Sequence, residues 1–268
     1  SVFHSISAFC NAGFDILGTT DHTFVSLTGY SRNIWLNIVI MLLIILGGIG
    51  FLTWEDFYTN KFKFKRYRMQ SKVILITTAI LIIAPAVFFF ACDFGNLPAG
   101  KRLLASVFQS VTTRTAGFNT EDLSLMTEAG KAVMILLMLI GGSPSSTAGG
   151  MKTTTFAVLI LNALATFRSR EDAGAFGRRF DGQVVKNAAT IAMMYFMLFF
   201  FGGITISVYE GLPLLTCLYE AASAVGTVGL TLGITPELHI ISRLILIALM
   251  YLGRVGGMTL IYAVFSRK

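Results

Sequence analysis

The sequence has few charged residues for its length. Of 268 residues, 13% are charged and 54% are hydrophobic, whereas about a quarter of the residues of a soluble domain are charged. This balance excludes an ordinary soluble protein and favours a lipid bilayer. The net charge of +7 does not indicate nucleic-acid binding, because the basic residues cluster between apolar segments, where they set membrane orientation.

Cysteine is also scarce, and the usual marks of an enzyme are missing from the sequence. Cys10, Cys92 and Cys217 show none of the spacings of a metal site, so we expect small, buried, hydrophobic side chains. No nucleophile and base pair, metal-ligand cluster or phosphate loop stands out, and the serines near Gly149 have no partner. We therefore expect neither an enzyme nor a bound cofactor. Because the chain opens on Ser1 without a charged leader, it is expected to be a piece of a longer protein.

A short motif around a glycine occurs three times. The copies, called here the first, second and third glycine loops, read AFCNAGFD at 8–15, TTRTAGFNT at 112–120 and AVGTVGLT at 224–231. Short apolar segments precede them, at residues 1–10, 103–111 and 212–224. A helix needs about 20 residues to cross the hydrocarbon core, so these segments are predicted to be re-entrant half-helices.

Longer apolar runs predict the membrane spans. They cover residues 33–52, 73–91, 188–208 and 239–265, and a run at 131–167 that is too long for one span. Pro85 interrupts the second span, and a neighbouring helix or side chain is expected to replace the lost hydrogen bond. Basic clusters at 61–72 and 168–186, with Arg267 and Lys268, are expected on the cytoplasmic side. The chain thus divides into units at 1–60, 73–167 and 187–268.

The run at 131–167 is split by the segment GGSPSSTAGGMK at residues 141–152, called here the linker. Irregular backbone in lipid lacks hydrogen-bond partners and is tolerated only inside protein or beside water. We therefore expect the linker to lie across the pathway. The residues expected to form a gate are Gly141, Gly142, Ser143, Ser145, Ser146, Thr147, Gly149, Gly150, Lys152 and Arg254.

The glycine loops fit a cation pathway. A permeating cation exchanges its water for other oxygens, and backbone carbonyls supply them without a full charge that would trap the ion. Glycine tolerates the backbone angles that turn carbonyls inward, and the negative end of each half-helix dipole would face the pore. The alternative is a helix-breaking turn repeated by duplication, as in many carriers. The residues expected to line the filter are Asn11, Ala12, Gly13, Phe14, Thr115, Ala116, Gly117, Phe118, Thr227, Val228, Gly229 and Leu230.

The motifs NAGFD, TAGFN and TVGLT resemble degenerate forms of the potassium-channel filter TVGYG, with one firm glycine each. This pattern resembles the Trk/Ktr/HKT superfamily of potassium transporters. The segments GGSPSSTAGGMKTTTF and LGRVGGMTL are similar to the intramembrane loop of the third repeat and to the end of the ion-translocating Ktr subunit.

The resemblance covers the whole chain, and the first repeat and the start of the second are missing. It implies an all-α membrane protein of span, pore helix, filter loop and span units around a central, potassium-channel-like pore. It further implies four units per protomer, a homodimer in the bacterial inner membrane, and a cytosolic nucleotide-binding regulatory ring of the RCK/KTN type. The expected permeant ion is K⁺, with Na⁺ left open as a permeant or coupling ion.

Arg254 lies within an apolar span, where a cation is costly. Gly117 and Gly142 are 25 residues apart, as are Gly229 and Arg254, and Gly48 follows Gly13 by 35. Glycine thus occupies the position of Arg254 in the other two units. We expect these glycines to make room and Arg254 to bind the linker as a positive barrier below the filter. The alternative is an arginine that snorkels to the interface beside a small-residue seam at 253–257.

Six other polar positions have weaker interpretations. Lys152 either binds carbonyls of the broken helix or is a simple interfacial lysine. Glu220 either attracts cations or makes a structural hydrogen bond, and Arg114 is expected to pair with Glu121 or Asp122. The remaining carboxylates near the pore mouth, which either enrich cations or form an ordinary solvated face, are Asp15, Asp21 and Asp93.

Selective potassium uptake through a gated pore is the leading functional prediction. One alternative is a carrier whose broken helices rock around a midplane site, which would saturate at low turnover. The other is a non-conducting membrane scaffold, which would bind partners without ion flux.

Overall fold

The computed structural model describes residues 2–18, 25–61, 63–170 and 172–255. Within these ranges the chain is mostly helical, as the all-α prediction requires. The predictions for Asp21, Arg267 and Lys268, for residue 257 of the small-residue seam and for the end of the last span lie outside the described residues. The helices, in order, are α1 (Val2–Phe9), α2 (Ile34–Gly48), α3 (Phe51–Asn60), α4 (Met69–Cys92), α5 (Ala99–Thr112), α6 (Glu128–Leu139), α7 (Thr153–Phe167), α8 (Gly182–Glu210), α9 (Leu214–Gly226) and α10 (Ile240–Val255).

The helices form the repeated units that the sequence predicts. Short helices α1, α5 and α9 are the half-helices, and each packs on a long helix of its own unit. Helix α5 also packs on α2, and α9 also packs on α6, so each of these two short helices contacts the preceding unit. The larger hydrophobic core surrounds α9 and includes Tyr219 and Met134, while the smaller one includes Phe108 and Phe118.

Two described helices are long and apolar enough to cross a bilayer. They are α4 and α8, with 24 and 29 residues. Helices α2 and α3 would pass together as one span, but they are bent by 95°. The membrane assignment therefore has structural support, and the irregular spans are those next to the glycine loops.

The apolar run predicted as a span at 33–52 is sharply bent. Helix α2 ends at Gly48, and Gly50 adopts a φ of 88° that turns the chain into α3. A Cβ at Gly50 would overlap the carbonyl oxygen of Pro144, and the backbone N–H of Phe51 donates to the carbonyl of Ser145 at 2.9 Å. The apolar run did not reveal this bend, because the bend depends on the linker that packs against it.

The predicted compensation for Pro85 is confirmed. Pro85 lies inside α4 and has no N–H to donate along the helix. The hydroxyl of Ser110 on α5 donates to the carbonyl of Ile82 at 2.7 Å and lies 3.4 Å from that of Leu81. The carbonyl of Leu81 would accept from residue 85 in an uninterrupted helix. The hydroxyl of Ser110 on the half-helix thus provides a donor near that carbonyl.

The predicted break at 141–152 is also confirmed. Helix α6 ends at Leu139 and α7 begins at Thr153. The two ends of the linker are hydrogen-bonded to each other, from the N–H of Gly141 to the carbonyl of Met151 at 2.8 Å and from the N–H of Thr153 to the carbonyl of Gly142 at 3.0 Å. The linker is therefore a loop closed by these two hydrogen bonds, which are called here its neck.

The basic segment at 168–186 contains a small hairpin that was not predicted. Strands β1 (Gly174–Ala175) and β2 (Arg178–Arg179) pair in antiparallel register. The two residues between them, Phe176 and Gly177, have φ values of 52° and 76°, as a tight hairpin turn requires. An ion pair of 2.6 Å joins Arg179 of β2 to Asp172, which precedes β1.

The prediction for the cysteines was correct at one position only. Cys217 is fully buried, but Cys10 and Cys92 are exposed. Cys10 follows α1 at the start of the first glycine loop and lines the cleft described below. Residue type alone could not separate these environments.

Candidate functional site: the glycine loops and the linker

Each glycine loop begins where a half-helix ends. Helices α1, α5 and α9 end at Phe9, Thr112 and Gly226, and the loops follow directly. The carbonyl end of a helix carries partial negative charge. All three loops therefore lie at helix ends that favour a cation.

The backbone of the three loops has the same unusual conformation. The motif glycines Gly13, Gly117 and Gly229 have φ values of 71°, 84° and 89°. The residues two positions earlier also have positive φ, although none is a glycine: Asn11 (49°), Thr115 (69°) and Thr227 (53°). Left-handed residues at alternate positions turn peptide groups away from the directions of an ordinary strand. The three loops thus share a backbone pattern as well as a sequence motif.

The three glycines meet in space. A Cβ added to Gly13 would lie 3.0 Å from the Cα of Gly117, and one added to Gly229 would lie 4.0 Å from the same atom. A Cβ on Gly117 itself would overlap the carbonyl oxygen of Val228. Three segments separated by about a hundred residues along the chain therefore converge, with Gly117 between the other two.

Hydroxyl groups from the half-helices fix the loops. Ser7 donates to the carbonyl of Phe14 at 2.8 Å, and Thr112 donates to that of Phe118. In the third loop, the N–H of Gly229 donates to the hydroxyl of Ser223 at 3.1 Å. The sequence analysis missed these residues, although a serine or threonine near the end of each half-helix was a visible signal.

The residues two positions before the glycines carry buried oxygens with no hydrogen-bond partner in the described chain. They are Oδ1 of Asn11 and the hydroxyls of Thr115 and Thr227. Buried polar atoms are nearly always hydrogen-bonded. Unpartnered oxygens at the same position of three loops fit an additional ligand, and cations accept oxygen ligands of this kind.

The first and third loops are separated by an open cleft of about 960 Å³. Residues of the first loop, of the third loop and of α10, including Arg254, line this cleft. Gly117 of the second loop approaches both Gly13 and Gly229. The three loops thus meet at Gly117 and leave an open cleft between the first and the third.

The linker fills the bend between α2 and α3. The N–H of Ser143 donates to the carbonyl of Gly48 at 2.9 Å. The hydroxyl of Thr147 lies 3.0 Å from the carbonyl of Phe9, at the end of α1, and 3.2 Å from that of Gly47. The linker therefore bonds to the ends of both the half-helix and the span of the first unit.

Two cationic side chains bind carbonyls of the linker. Arg254 donates from Nη1 to the carbonyl of Thr147 at 3.1 Å, and Lys152 donates to that of Ala148 at 2.8 Å. Arg254 thus has the linker contact that the sequence analysis expected, whereas Lys152 binds a carbonyl within the linker itself and not one at an end of the broken helix. The gating role of both residues stays a prediction.

The glycines aligned with Arg254 have different surroundings. A Cβ on Gly142 would overlap the Cβ of Ala148, so glycine is required there. A Cβ on Gly48 would meet only the Nδ2 of Asn11, at 3.9 Å, whereas one on Gly47 would overlap the carbonyl of Phe9. The expectation that Gly48 makes room was therefore wrong, and Gly47 is the crowded position.

The linker also touches the third glycine loop. A Cβ on Gly149 would overlap the hydroxyl of Thr227, and one on Gly150 would lie 3.2 Å from the carbonyl of Gly226. These distances leave no room for side chains between the linker and the loop. The linker therefore packs directly against the residues that precede the motif glycine.

The pairing predicted for Arg114 was wrong. Glu121 pairs with Lys101 at 2.9 Å, and Asp122 caps the turn that follows it. Arg114 makes no ion pair within the described part of the chain, and its Nε is buried without a partner. It lies just beyond the end of α5, where the helix dipole favours a cation. Closeness in sequence did not identify the partner of Glu121. The folded chain brings Glu121 to Lys101, near the start of α5, and not to Arg114 beyond its end.

Two carboxylates near the mouth make local hydrogen bonds. Asp93 accepts from the N–H and the hydroxyl of Thr127 at 2.9 and 2.8 Å, which ties the end of α4 to the start of α6. Asp15 accepts from the N–H of Leu17 at 3.0 Å. The role of both residues in attracting cations stays a prediction.

Glu220 holds the segment after the third glycine loop. The carboxylate of Glu220 is buried and accepts from the hydroxyls of Thr231 and Thr235 at 2.8 Å each and from the N–H of Leu232 at 2.9 Å. This structural alternative for Glu220 is confirmed. The side chain of Glu220 on α9 thus holds residues 231–235, which follow the third glycine loop.

Replacing Glu220 by alanine is expected to lower the free energy of unfolding by about 2–4 kcal/mol, because three donors to one carboxylate lose their acceptor. Replacement by glutamine keeps an accepting oxygen and should cost about half as much. Thermal unfolding of the purified protein in detergent measures both. Equal melting temperatures for the alanine variant and the unmodified protein would contradict this role.

The sequence and the fold both match known proteins. The family model TrkH, described as a cation transport protein, matches residues 1–267. The chain is 40% identical over its whole length to the potassium/sodium uptake protein NtpJ of Enterococcus hirae. It is 35% identical, over 98% of its length, to the Ktr system potassium uptake protein B of Bacillus subtilis.

A solved structure, the potassium transporter TrkH from Vibrio parahaemolyticus, shares the fold with a TM-score of 0.77 over 98% of this chain, at 19% identity. The chain spans 60% of NtpJ, 59% of the Bacillus protein and 57% of the Vibrio chain. The resemblance to Trk and Ktr transporters is confirmed. The chain belongs to the TrkH family of cation transport proteins.

Proposed function

We propose that the complete protein takes up potassium across the bacterial inner membrane, and that the three glycine loops form part of its selectivity filter. The observation that carries this proposal is the convergence of Gly13, Gly117 and Gly229, all with positive φ, at the ends of three half-helices. Backbone carbonyls and the unpartnered oxygens of the preceding residues would replace the water of the cation.

The linker is the proposed gate. It packs against the first and third glycine loops and is held by Arg254, which would add positive charge to the conduction path. Conduction then requires the linker to move and the Arg254 bond to break. The hydrogen-bonded neck at Gly141 and Met151 allows the loop between them to move as one body.

The remaining assignments rest on the family and on charge. The basic segments at 61–72 and 168–186 are proposed to face the cytosol, because positive loops stay on that side. We propose a homodimer that binds a cytosolic regulatory ring, as the Ktr resemblance implies. Sodium is proposed as a second ion, since NtpJ is named a potassium/sodium uptake protein.

The test is ion flux through the complete protein in liposomes of bacterial lipid. Uptake of ⁸⁶Rb⁺ down an imposed potential should exceed that of protein-free liposomes, and external K⁺ should compete more strongly than Na⁺. Valinomycin added at the end reports the total trapped volume. Partner binding without any flux above empty liposomes would refute the proposal, whereas slow saturable flux without single-channel currents would indicate a carrier.

A further inference from the structure

The three glycine loops differ at the position two residues before the glycine. The second and third loops have Thr115 and Thr227 there, whereas the first has Asn11. A threonine donates and accepts at one hydroxyl oxygen, whereas asparagine has its acceptor and its donors on two separate atoms of a longer side chain. Asn11 can therefore bind two groups that lie in different directions.

Both ends of the Asn11 side chain are placed for such a role. The residue is 5% exposed, and its Nδ2 donates to the hydroxyl of Thr147 in the linker at 3.0 Å. Its Oδ1 is buried and has no hydrogen-bond partner among the residues that the structure describes. One end of the side chain thus bonds the linker, and the other end is free to accept a cation.

Thr147 is the residue through which the linker is held. Its hydroxyl approaches the carbonyls of Phe9 and Gly47, and its own carbonyl accepts from Arg254. The linker cannot leave this position without breaking the bond from Asn11. The hydrogen bond from the amide of Asn11 therefore couples the position of the linker to the first glycine loop.

We infer that Asn11 is a positioning residue that couples cation occupancy of the filter to closure of the linker. The inference rests on the proposed function. A cation on Oδ1 withdraws electron density from the amide and strengthens the donor at Nδ2, because hydrogen bonds and charges along one polar chain reinforce each other. Occupancy then favours the closed linker, and a closed linker raises the cation affinity by the same factor.

The variant Asn11→Thr separates the two ends of the side chain. It places at this position the residue that the other two loops already hold with φ values of 69° and 53°, so the loop can accept it. The oxygen remains, but the amide donor to Thr147 is lost. We expect potassium flux to rise about three- to ten-fold, with the ratio of K⁺ to Na⁺ flux unchanged.

Thr115→Val is the matched control. Position 115 is equivalent to position 11, but no hydrogen bond joins its side chain to the linker. Removal of its hydroxyl should weaken cation binding without opening the linker. This variant should therefore lower potassium flux, the opposite of the effect of Asn11→Thr.

A second readout follows the linker itself. Ser146→Cys in a background without the three native cysteines places a thiol in the linker, and its rate of maleimide modification is measured against K⁺ concentration. K⁺ should slow modification several-fold in the Asn11 protein. The protection should vanish in Asn11→Thr, and in Thr115→Val it should keep its amplitude with a midpoint at higher K⁺.

The double variant Asn11→Thr with Thr147→Val completes the test. If both changes remove the same bond, the double variant should conduct no more than Thr147→Val alone. Additive increases, or equal flux and equal K⁺ protection in Asn11→Thr and the unmodified protein, would overturn the inference while leaving the proposed function intact. Absence of flux in the unmodified protein would instead overturn the proposed function.

Discussion

Replacing Arg254 by alanine is expected to raise potassium flux about ten-fold or more. The guanidinium of Arg254 donates to the carbonyl of Thr147 at 3.1 Å, and a hydrogen bond from a charged group contributes about 1.5–3 kcal/mol. If this bond is made only when the linker is closed, its loss shifts the equilibrium toward the open linker by roughly ten-fold to a hundred-fold. The loss of positive charge beside the cation pathway acts in the same direction.

Liposome flux and single-channel recordings of the complete protein measure this effect. Arg243→Ala is the matched control for charge, because Arg243 lies on the same helix and lines the same cleft but donates to the backbone carbonyl of Pro236 at 2.6 Å instead of to the linker. Its flux should rise much less than that of Arg254→Ala. Unchanged or lower flux in Arg254→Ala would count against a barrier and in favour of a snorkelling arginine.

Replacing Gly117 by alanine is expected to reduce potassium flux by at least a hundred-fold. A Cβ at this position would overlap the carbonyl oxygen of Val228 and lie 3.4 Å from the Cα of Gly13. The φ of 84° adds backbone strain of about 1–3 kcal/mol for a residue with a side chain. The loops would have to separate, and the spacing of their oxygens would change.

Substitutions at two other glycines separate the effect of steric overlap from that of backbone strain. Gly229 has a similar φ of 89°, but a Cβ there would meet no atom closer than 4.0 Å, so Gly229→Ala tests strain without overlap and should lose less flux. Gly29 has neither positive φ nor a neighbour within 4 Å, and Gly29→Ala should conduct normally. Equal flux in the Gly117 and Gly29 variants would refute the role of the loop junction.

The sequence predicted the features that repeat. Three glycine motifs, each after a short apolar segment, predicted three re-entrant loops, and the structure brings Gly13, Gly117 and Gly229 together. Equal spacing from Gly117 to Gly142 and from Gly229 to Arg254 predicted the contact of Arg254 with the linker. Repetition works as a guide because equivalent residues in duplicated units take equivalent places around one axis.

The sequence was a poorer guide wherever the units differ. The bend at Gly50 depends on the linker of another unit, about a hundred residues away, so the local apolar run predicted a span and gave no sign of the bend. The partner of Glu121 is Lys101 and not Arg114. The loop after α5 places Glu121 beside the start of that helix, which is distant in sequence. The hydrogen bond between Asn11 and Thr147 has no periodic signal at all.

A signal for the half-helices was present but unused. Pro98 and Pro213 each stand at the start of a short helix, and each is preceded by leucine. Proline is well tolerated where a helix begins, because no hydrogen-bond donor is needed there. The repeated Leu-Pro pair marks the first residue of α5 and α9 to within one position.

The central claim is that the three converging glycine loops bind the permeant cation. The most direct measurement is the anomalous X-ray diffraction of crystals of the complete protein grown in Rb⁺ or Tl⁺. We predict an anomalous peak between Gly13, Gly117 and Gly229, within coordination distance of the loop carbonyls. Peaks confined to other parts of the molecule, with no ion between these loops at saturating Tl⁺, would contradict the account.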